Sequence, residues 1–499
     1  MSMKIKSIYL AFAVAFLASC SSLLDEKVES FVQPDKFYRN ASQARAGLDG
    51  CYIPLRYIYT STLEIATEGV TDLCYSTSGT QDSQLDISPA NPRFGKTMWT
   101  QCYKGVRYCN DALYGLERSP MDSSSRVGFI AEAKVMRAMY YYLLTAFFGD
   151  VPFWDYPVTS IDVLQKIRKL PRMSAADTRD YLVDDLKACL DSLPKARSYD
   201  IGDQRMGYAA GCMVLAKLAM WNSRWEDASA ALSSLETLYG DLADYPIADI
   251  SFRCKNTPES IFEVQHTYTK GGLSVTNTLA PMCIPQNHVS GTCIYSGVEI
   301  EELGTECTTW APIRPNKYFY EGLMPETAGD LRRDLYIVSQ WNGQKFKDSD
   351  GKTITRPYLG PKFWCPYMVS TYDSNNYKVF RYADAVLMQA ECLCRMDRFP
   401  EALIRLNSVK NRAGIRPASS FSSQSRFMEE IQKERGRELF CEFQRKFDLV
   451  RWGIWYQSVL DFNDYSTVKD NLYRYKEYYP IPDSECGLSG GALDNKAYE

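Results

Sequence analysis

Two stretches of this chain, "AKLAMWNSRWEDASAAL" and "AECLCRMDRFPEALIRL", follow one pattern. Aligned on Ala228 and Ala402, each has alanine twelve residues earlier (Ala216, Ala390) and arginine four earlier (Arg224, Arg398). Each also has an aromatic ring three earlier (Trp225, Phe399) and leucine four later (Leu232, Leu406). Small residues at that spacing let two antiparallel helices approach, and the ring plugs the bend between them. A chain built this way is bound to stack helix pairs. Other segments agree. "AEAKVMRAMYYYLLTAFF", Ala131 to Phe148, is apolar nearly all round, which predicts a central buried helix stopped at Gly149. In "SAADTRDYLVDDLKACLDSLPKA", Ser174 and Asp177 form a variant capping box. Leu182, Leu186, Cys189, Leu190 and Leu193 then share one face until Pro194.

The paired pattern is that of tetratricopeptide-type hairpins, and it is legible in two copies. Between them, from about 246 to 377, the composition shifts to Gly, Pro, Thr and aromatic residues. "WNGQ" and "SDGK" predict type I′ hairpin turns at Asn342-Gly343 and Asp350-Gly351. Leu73 to Met98 has the same polar, turn-rich character. The expected fold is therefore mainly α: a helical hairpin scaffold, chiefly 36–240 and 378–460, carrying an irregular, loop-rich ligand-binding region with short β-hairpins. Irregular segments on a rigid scaffold are where binding residues concentrate.

The N-terminus points to export. Lys4 and Lys6 precede an apolar run, Ile8 to Ala18, and Leu17-Ala18-Ser19-Cys20 follows. As a helix the run measures about 16 Å against roughly 30 Å of bilayer hydrocarbon, which suits a signal segment better than a span. Leu-Ala-Ser-Cys resembles the lipobox of bacterial lipoproteins, in which 1–19 is removed and Cys20 carries the lipid. Two or more acyl chains hold a protein firmly where one does not. The 57 basic residues less Lys4 and Lys6 leave 55 against 61 acidic ones, near −6, and no long basic block occurs. This argues against nucleic acid as a partner.

Catalytic and metal signatures are missing. The sequence holds no G-x-S-x-G, P-loop, H-E-x-x-H, C-x-x-C or dinucleotide fingerprint, and only two histidines, His266 and His288. No metal and no cofactor are expected. "KDSDGK" starts like a calcium loop but lacks the remaining ligands, so a turn is the better reading. Most of the 16 cysteines sit among apolar helix residues and read as small hydrophobes, with a loop pair such as Cys283 and Cys293 open to oxidation. In "EIQKERGRELFCEFQRKFDLVRWG", Glu434, Glu438 and Glu442 are expected to share charge with Arg435, Arg437, Arg445 and Arg451 at helical spacing. Phe440, Phe443 and Phe447 then pack inward. With 35 Tyr and 9 Trp, the chain is rich in rings suited to stacking on sugars.

Taken in order, the motifs resemble the SusD/RagB family of outer-membrane nutrient-binding lipoproteins through most of the chain. They are the Cys20 lipobox, "TEGVTD" (Thr67 to Asp72), "WTQCYKGVRYCNDAL", "AEAKVMRAMYYYLLTAFFGDVPF", "ESIFEVQ", "FRYADAVLMQAECL", "LNSVKNRAGI", "ERGRELFCEFQRKFDLVRWG" and "YYPIPDSE". Gln389, Cys392 and Cys394 depart from the pattern locally. The resemblance implies a cell-surface, lipid-anchored protein beside a TonB-dependent outer-membrane barrel, capturing an oligosaccharide and passing it on without catalysis. It places ligand contacts in the loop after the Thr-Asp motif and in the irregular region before "GDLRRD". Carried onto this sequence, these regions offer Tyr75 and Phe94, then Tyr268, Tyr295, Trp310 and Trp341, with Trp310 foremost and Trp99 assigned to the core. A surface glycosidase with two carboxylates across a cleft is one alternative. A peptide-binding or protein-interaction lipoprotein on the helical scaffold is another.

Overall fold

The computed structural model describes residues 37–269, 275–287, 294–304, 308–368 and 370–498. The signal segment, Cys20, His288 and Cys293 lie outside them. Nine helices carry the scaffold: α1 (Ala41–Tyr52), α2 (Phe94–Glu117), α3 (Ser123–Phe148), α4 (Ala175–Lys187), α5 (Tyr208–Trp221), α6 (Trp225–Tyr239), α7 (Tyr382–Arg395), α8 (Phe399–Arg412) and α9 (Gln424–Glu438). Successive helices pack as α2 on α3, α3 on α4, α4 on α5, α5 on α6, α6 on α7 and α7 on α8 and α9. Helix α3 is buried almost without break from Ala131 to Phe148, as its all-round apolar surface requires. It meets α2 closely because Gly105 has no Cβ: one there would lie 2.3 Å from the Tyr140 ring.

The two hairpins α5–α6 and α7–α8 share one turn. Ser223 and Asp397 both take a left-handed φ, of 57° and 60°. Arg224 N donates to Ala219 O and Arg398 N to Leu393 O, each at 2.9 Å. Ala216, Ala228, Ala390 and Ala402 are fully buried between the helices. Although remote in sequence, the hairpins stack directly. Tyr239 lies on Tyr382 with ring centroids 4.9 Å apart, and Gln389 Nε2 donates to Ser233 Oγ at 3.0 Å. Gln389, a local departure by sequence, thus serves the seam between repeats.

Ser174 caps α4 as expected, accepting from Asp177 N at 3.0 Å, but α-helical bonding stops at Lys187 and Leu190–Ser192 forms a 3₁₀ turn. Five two-stranded antiparallel sheets complete the described residues. Two involve strands used below: β1 (Cys74–Ser76) pairs with β3 (Ile313–Pro315), and β2 (Ser260–Val264) with β4 (Tyr377–Arg381). Asn342 and Gly343 have φ of 47° and 75°, as a type I′ turn demands. The second turn differs. Gly351 is left-handed, yet Asp350 is not, because Asp348 Oδ1 accepts from the Asp350 and Lys352 amides and sets a wider loop.

The irregular region has its own small core around Tyr295, Phe346, Tyr358 and Trp364. A buried charge network ties it to the helices. Arg332 meets Asp330, Glu434 and Glu438 at 2.6–2.8 Å, and Lys362 Nζ meets Glu442 at 2.6 Å. Arg381 joins Glu259, Glu438 and Glu442. Arg435 bridges Asp384 and Asp448, and Arg451 meets Glu391. Of the charge sharing along the helix expected from spacing, Arg437 with Glu434 is present, and Arg451 pairs locally with Asp448 instead. The other partners come from distant segments, because these side chains face inward, where only another buried charge offsets the desolvation. At Glu438, burial opposes ionisation, but Arg412, Arg381 and Arg332 outweigh it and hold the carboxyl well below the usual range.

Candidate functional site

The Thr-Asp motif begins the site. Asp72 takes Arg445 in a two-pronged ion pair of 2.8 and 2.6 Å. Glu68 Oε1 accepts from the amides of Gln444 and Arg445 at 2.8 and 3.0 Å. These contacts fix the chain just before β1. Asn316 N donates to Leu73 O at 2.7 Å and Thr77 N to Pro312 O at 3.0 Å, closing both ends of the β1–β3 pair. Tyr75 is thereby set opposite Arg314.

Beside this pair lies a cleft of about 400 Å³ lined by Tyr75, Thr77, Ala311, Arg314, Asp348 and the segment 352–356. Thr355 also lines an adjoining cleft of about 350 Å³, with Tyr320, Arg333 and Pro357. Trp310 directly precedes the lining residue Ala311 and is 45% exposed. The amides of Trp310 and Ala311 both donate to Pro281 O, at 3.0 and 3.3 Å, and Ala311 has φ of 43°. A left-handed alanine is an uncommon backbone state, held here by the shared carbonyl. A second left-handed residue, Tyr367, is 77% exposed with φ of 59°, its amide donating to Glu302 O at 2.5 Å. Sequence reasoning missed Tyr367; the Pro before it was the only local signal.

The expected ligand residues separate clearly. Trp310 offers a ring with no aromatic or cationic partner among the described residues. Tyr75 lines the cleft, but Arg356 covers its ring at 4.9 Å and Tyr465 packs 6.1 Å away, so it forms floor. Two expectations are corrected. Phe94 is 6% exposed at the start of α2, packed against Phe147 at 6.1 Å. Tyr295 is fully buried, its hydroxyl donating to Gly304 O at 2.5 Å. Neither presents a face on which a sugar can stack. Trp341 is half-buried against Trp364 at 4.9 Å, and Tyr268 is half-buried outside the cleft lining. Trp99 is core, edge-on to Tyr103 and Phe148.

A third cavity, about 430 Å³, lies on the helical side between Trp99, Tyr103, Trp154 and Leu493. Among the described residues no cluster of His, Cys, Asp and Glu is arranged to hold a metal, and no helix is long and apolar enough to cross a membrane. Their thirteen cysteines are unpaired; Cys283 is buried in the core, and Cys74 and Cys441 meet sulfur to sulfur at 3.0 Å.

A stack of helical hairpins that presents a loop-built cleft defines a binding scaffold. The chain belongs to the SusD/RagB family. The SusD family profile matches residues 366–498, and one described as "Starch-binding associating with outer membrane" matches 56–219. SusD-like protein P25 of Formosa agariphila is 25% identical, covering 99% of each chain. Starch-binding protein SusD of Bacteroides thetaiotaomicron is 27% identical over 35% of this chain and 32% of its own. Among solved structures, surface glycan-binding protein A of Bacteroides uniformis superposes with TM-score 0.73 at 22% identity, covering 92% of this chain and 100% of that one. The Bacteroides thetaiotaomicron protein of the same name, in complex with laminarihexaose, gives 0.72 at 20% identity, covering 92% and 100%. These likenesses establish the shared fold.

Proposed function

We propose that this protein captures oligosaccharides or polysaccharide fragments at the cell surface, held there through lipid on Cys20, and passes them to a TonB-dependent outer-membrane barrel. The observation that carries this is the exposed Trp310 ring at the edge of a polar cleft on a rigid scaffold. A flat ring buries the C–H face of a pyranose, while polar side chains below it meet the hydroxyls. Family membership and a relative solved with laminarihexaose support the same reading.

The reading is of capture without turnover. Glycoside hydrolysis asks for two carboxyl groups flanking one bond. Among the described residues the larger of the two adjoining clefts is lined by one carboxylate, Asp348, which is committed to the turn. In the adjoining cleft Glu321 and Glu326 are exposed and pair with Lys317 and Arg333 at 3.4 and 3.5 Å. Affinity electrophoresis of a soluble form starting after Cys20, against plant, host and microbial polysaccharides, tests the proposal, with the mixtures analysed for released sugar. Retardation without product is expected; released product overturns the non-catalytic reading, and no retardation by any glycan overturns glycan capture.

A further inference from the structure

The cations of the main cleft are under-compensated, unlike those of the interior. Arginines of the buried network each meet a carboxylate at 2.6–2.9 Å. Arg314 meets none among the described residues. Its Nε donates to Pro357 O at 3.1 Å and its Nη2 to Arg356 O at 2.8 Å, and the guanidinium lies over the Tyr358 ring at 3.8 Å. It is thus held rigidly and part-buried, with no carboxylate partner among the described residues. Arg179, a buried arginine that also meets no carboxylate among the described residues, is used up by Thr145 and Trp221 inside the helical core. Arg356 lies over Tyr75, and its nearest carboxylate, Asp464, is 3.5 Å away and already accepts from Lys317 N at 2.6 Å. Lys352, at the loop tip, forms no ion pair among the described residues.

Three cations therefore line this cleft against Asp348, in a chain whose formal net charge is −4. A concave wall of one sign draws in the opposite charge, and a planar guanidinium held by the Arg356 and Pro357 carbonyls is preorganised to grip a planar or tetrahedral oxyanion. Resting on the capture reading above, we infer that the ligand is an acidic glycan, whose uronate carboxylate or sulfate ester sits against Arg314 and Arg356 while Trp310 stacks on a neighbouring sugar ring. The negative net charge opposes indiscriminate attraction of polyanions, so binding of this kind requires the local cations.

The test compares polygalacturonate, its fully methyl-esterified form, a sulfated galactan and its desulfated form, with dextran sulfate as a charge control. Parent protein, Arg356→Gln and Lys352→Gln are run beside Arg314→Gln, since Arg314 also braces the segment of Arg356 and Pro357; thermal melts check each fold. Retention of an acidic polymer over its neutralised form is expected, with about a tenfold loss of affinity in Arg356→Gln at unchanged melting temperature. Preference for polygalacturonate assigns a uronate, and preference for the sulfated galactan a sulfate ester. Equal retention of every polyanion, undiminished in all three variants, overturns the inference. Binding of neutral glycans alone overturns it while leaving glycan capture standing, and binding of none overturns both.

Discussion

At the scale of single residues, exposure separates side chains that look alike on paper. Trp310 and Tyr295 both lie in the irregular region, yet one ring is half exposed and the other fully buried. Trp310→Ala is expected to weaken glycan binding by about 1 kcal/mol or more, with no change in melting temperature. Tyr295→Ala is expected to cost about 3 kcal/mol or more of stability. Thermal melts alongside titration of one glycan read both, and a destabilised Trp310→Ala with parental affinity contradicts the assignment. Glu68 gives a second test. Burial pushes its carboxyl up to about 8 despite the bonds from Arg445 and Gln444 amides. Its folded pKa exceeds the unfolded one, so the folded chain holds a proton that the unfolded chain releases above about pH 4.3. Stability then falls as pH rises from there toward 8, by about 2.5 kcal/mol between pH 5 and 7 from this group. Glu68→Gln is expected to flatten that decline in melts across the same range; an unaltered slope refutes it.

At the scale of elements, the helical hairpin was legible because its signal is local. Ala216 with Ala228 and Ala390 with Ala402 sit where the helices touch, and the matching left-handed turns at Ser223 and Asp397 follow from the same spacing. Ala402→Leu adds volume to a fully buried seam and is expected to destabilise by about 1–3 kcal/mol, measured by chemical unfolding, leaving glycan affinity intact. The binding elements were less legible. Strand β1 pairs with β3 across more than two hundred residues, and no period or turn signal announces such a partner. Phe94 looked like a loop ring but starts α2, where it packs into the core. The exposure of Trp310 was legible because its flanking turn residues argued against a helix. Tyr367 was missed because its exposure depends on a strained backbone that one proline only hints at.

At the scale of the molecule, buried ion pairs join the irregular region to the helices and keep the cleft in place. At Glu434 burial opposes ionisation, but Arg332 and Arg437 hold the carboxyl below its usual range. At Asp384, in the ion pairs that join the helices to one another, Lys217 and Arg435 likewise outweigh burial and bring it down to about 2. A depressed folded pKa contributes stability that is present above the unfolded pKa and lost as pH falls through the folded one. Melting temperature is therefore expected to drop steeply between about pH 4 and 2, with Asp384 alone accounting for about 2 kcal/mol. A flat profile over that window contradicts the network's role. Sequence could not reveal this network, since Arg332 meets Glu434 and Arg445 meets Asp72 across long separations.

The central claim is that a glycan occupies the cleft beside β1 and β3. Hydrogen–deuterium exchange, with and without whichever polysaccharide retards the protein, tests this without altering a residue. Slowed exchange is expected at 74–77, 308–314 and 348–356, the segments that build the cleft and present Trp310. Protection confined instead to the helical side, around Trp99, Tyr103 and Trp154, would place the ligand in the other cavity and contradict the account.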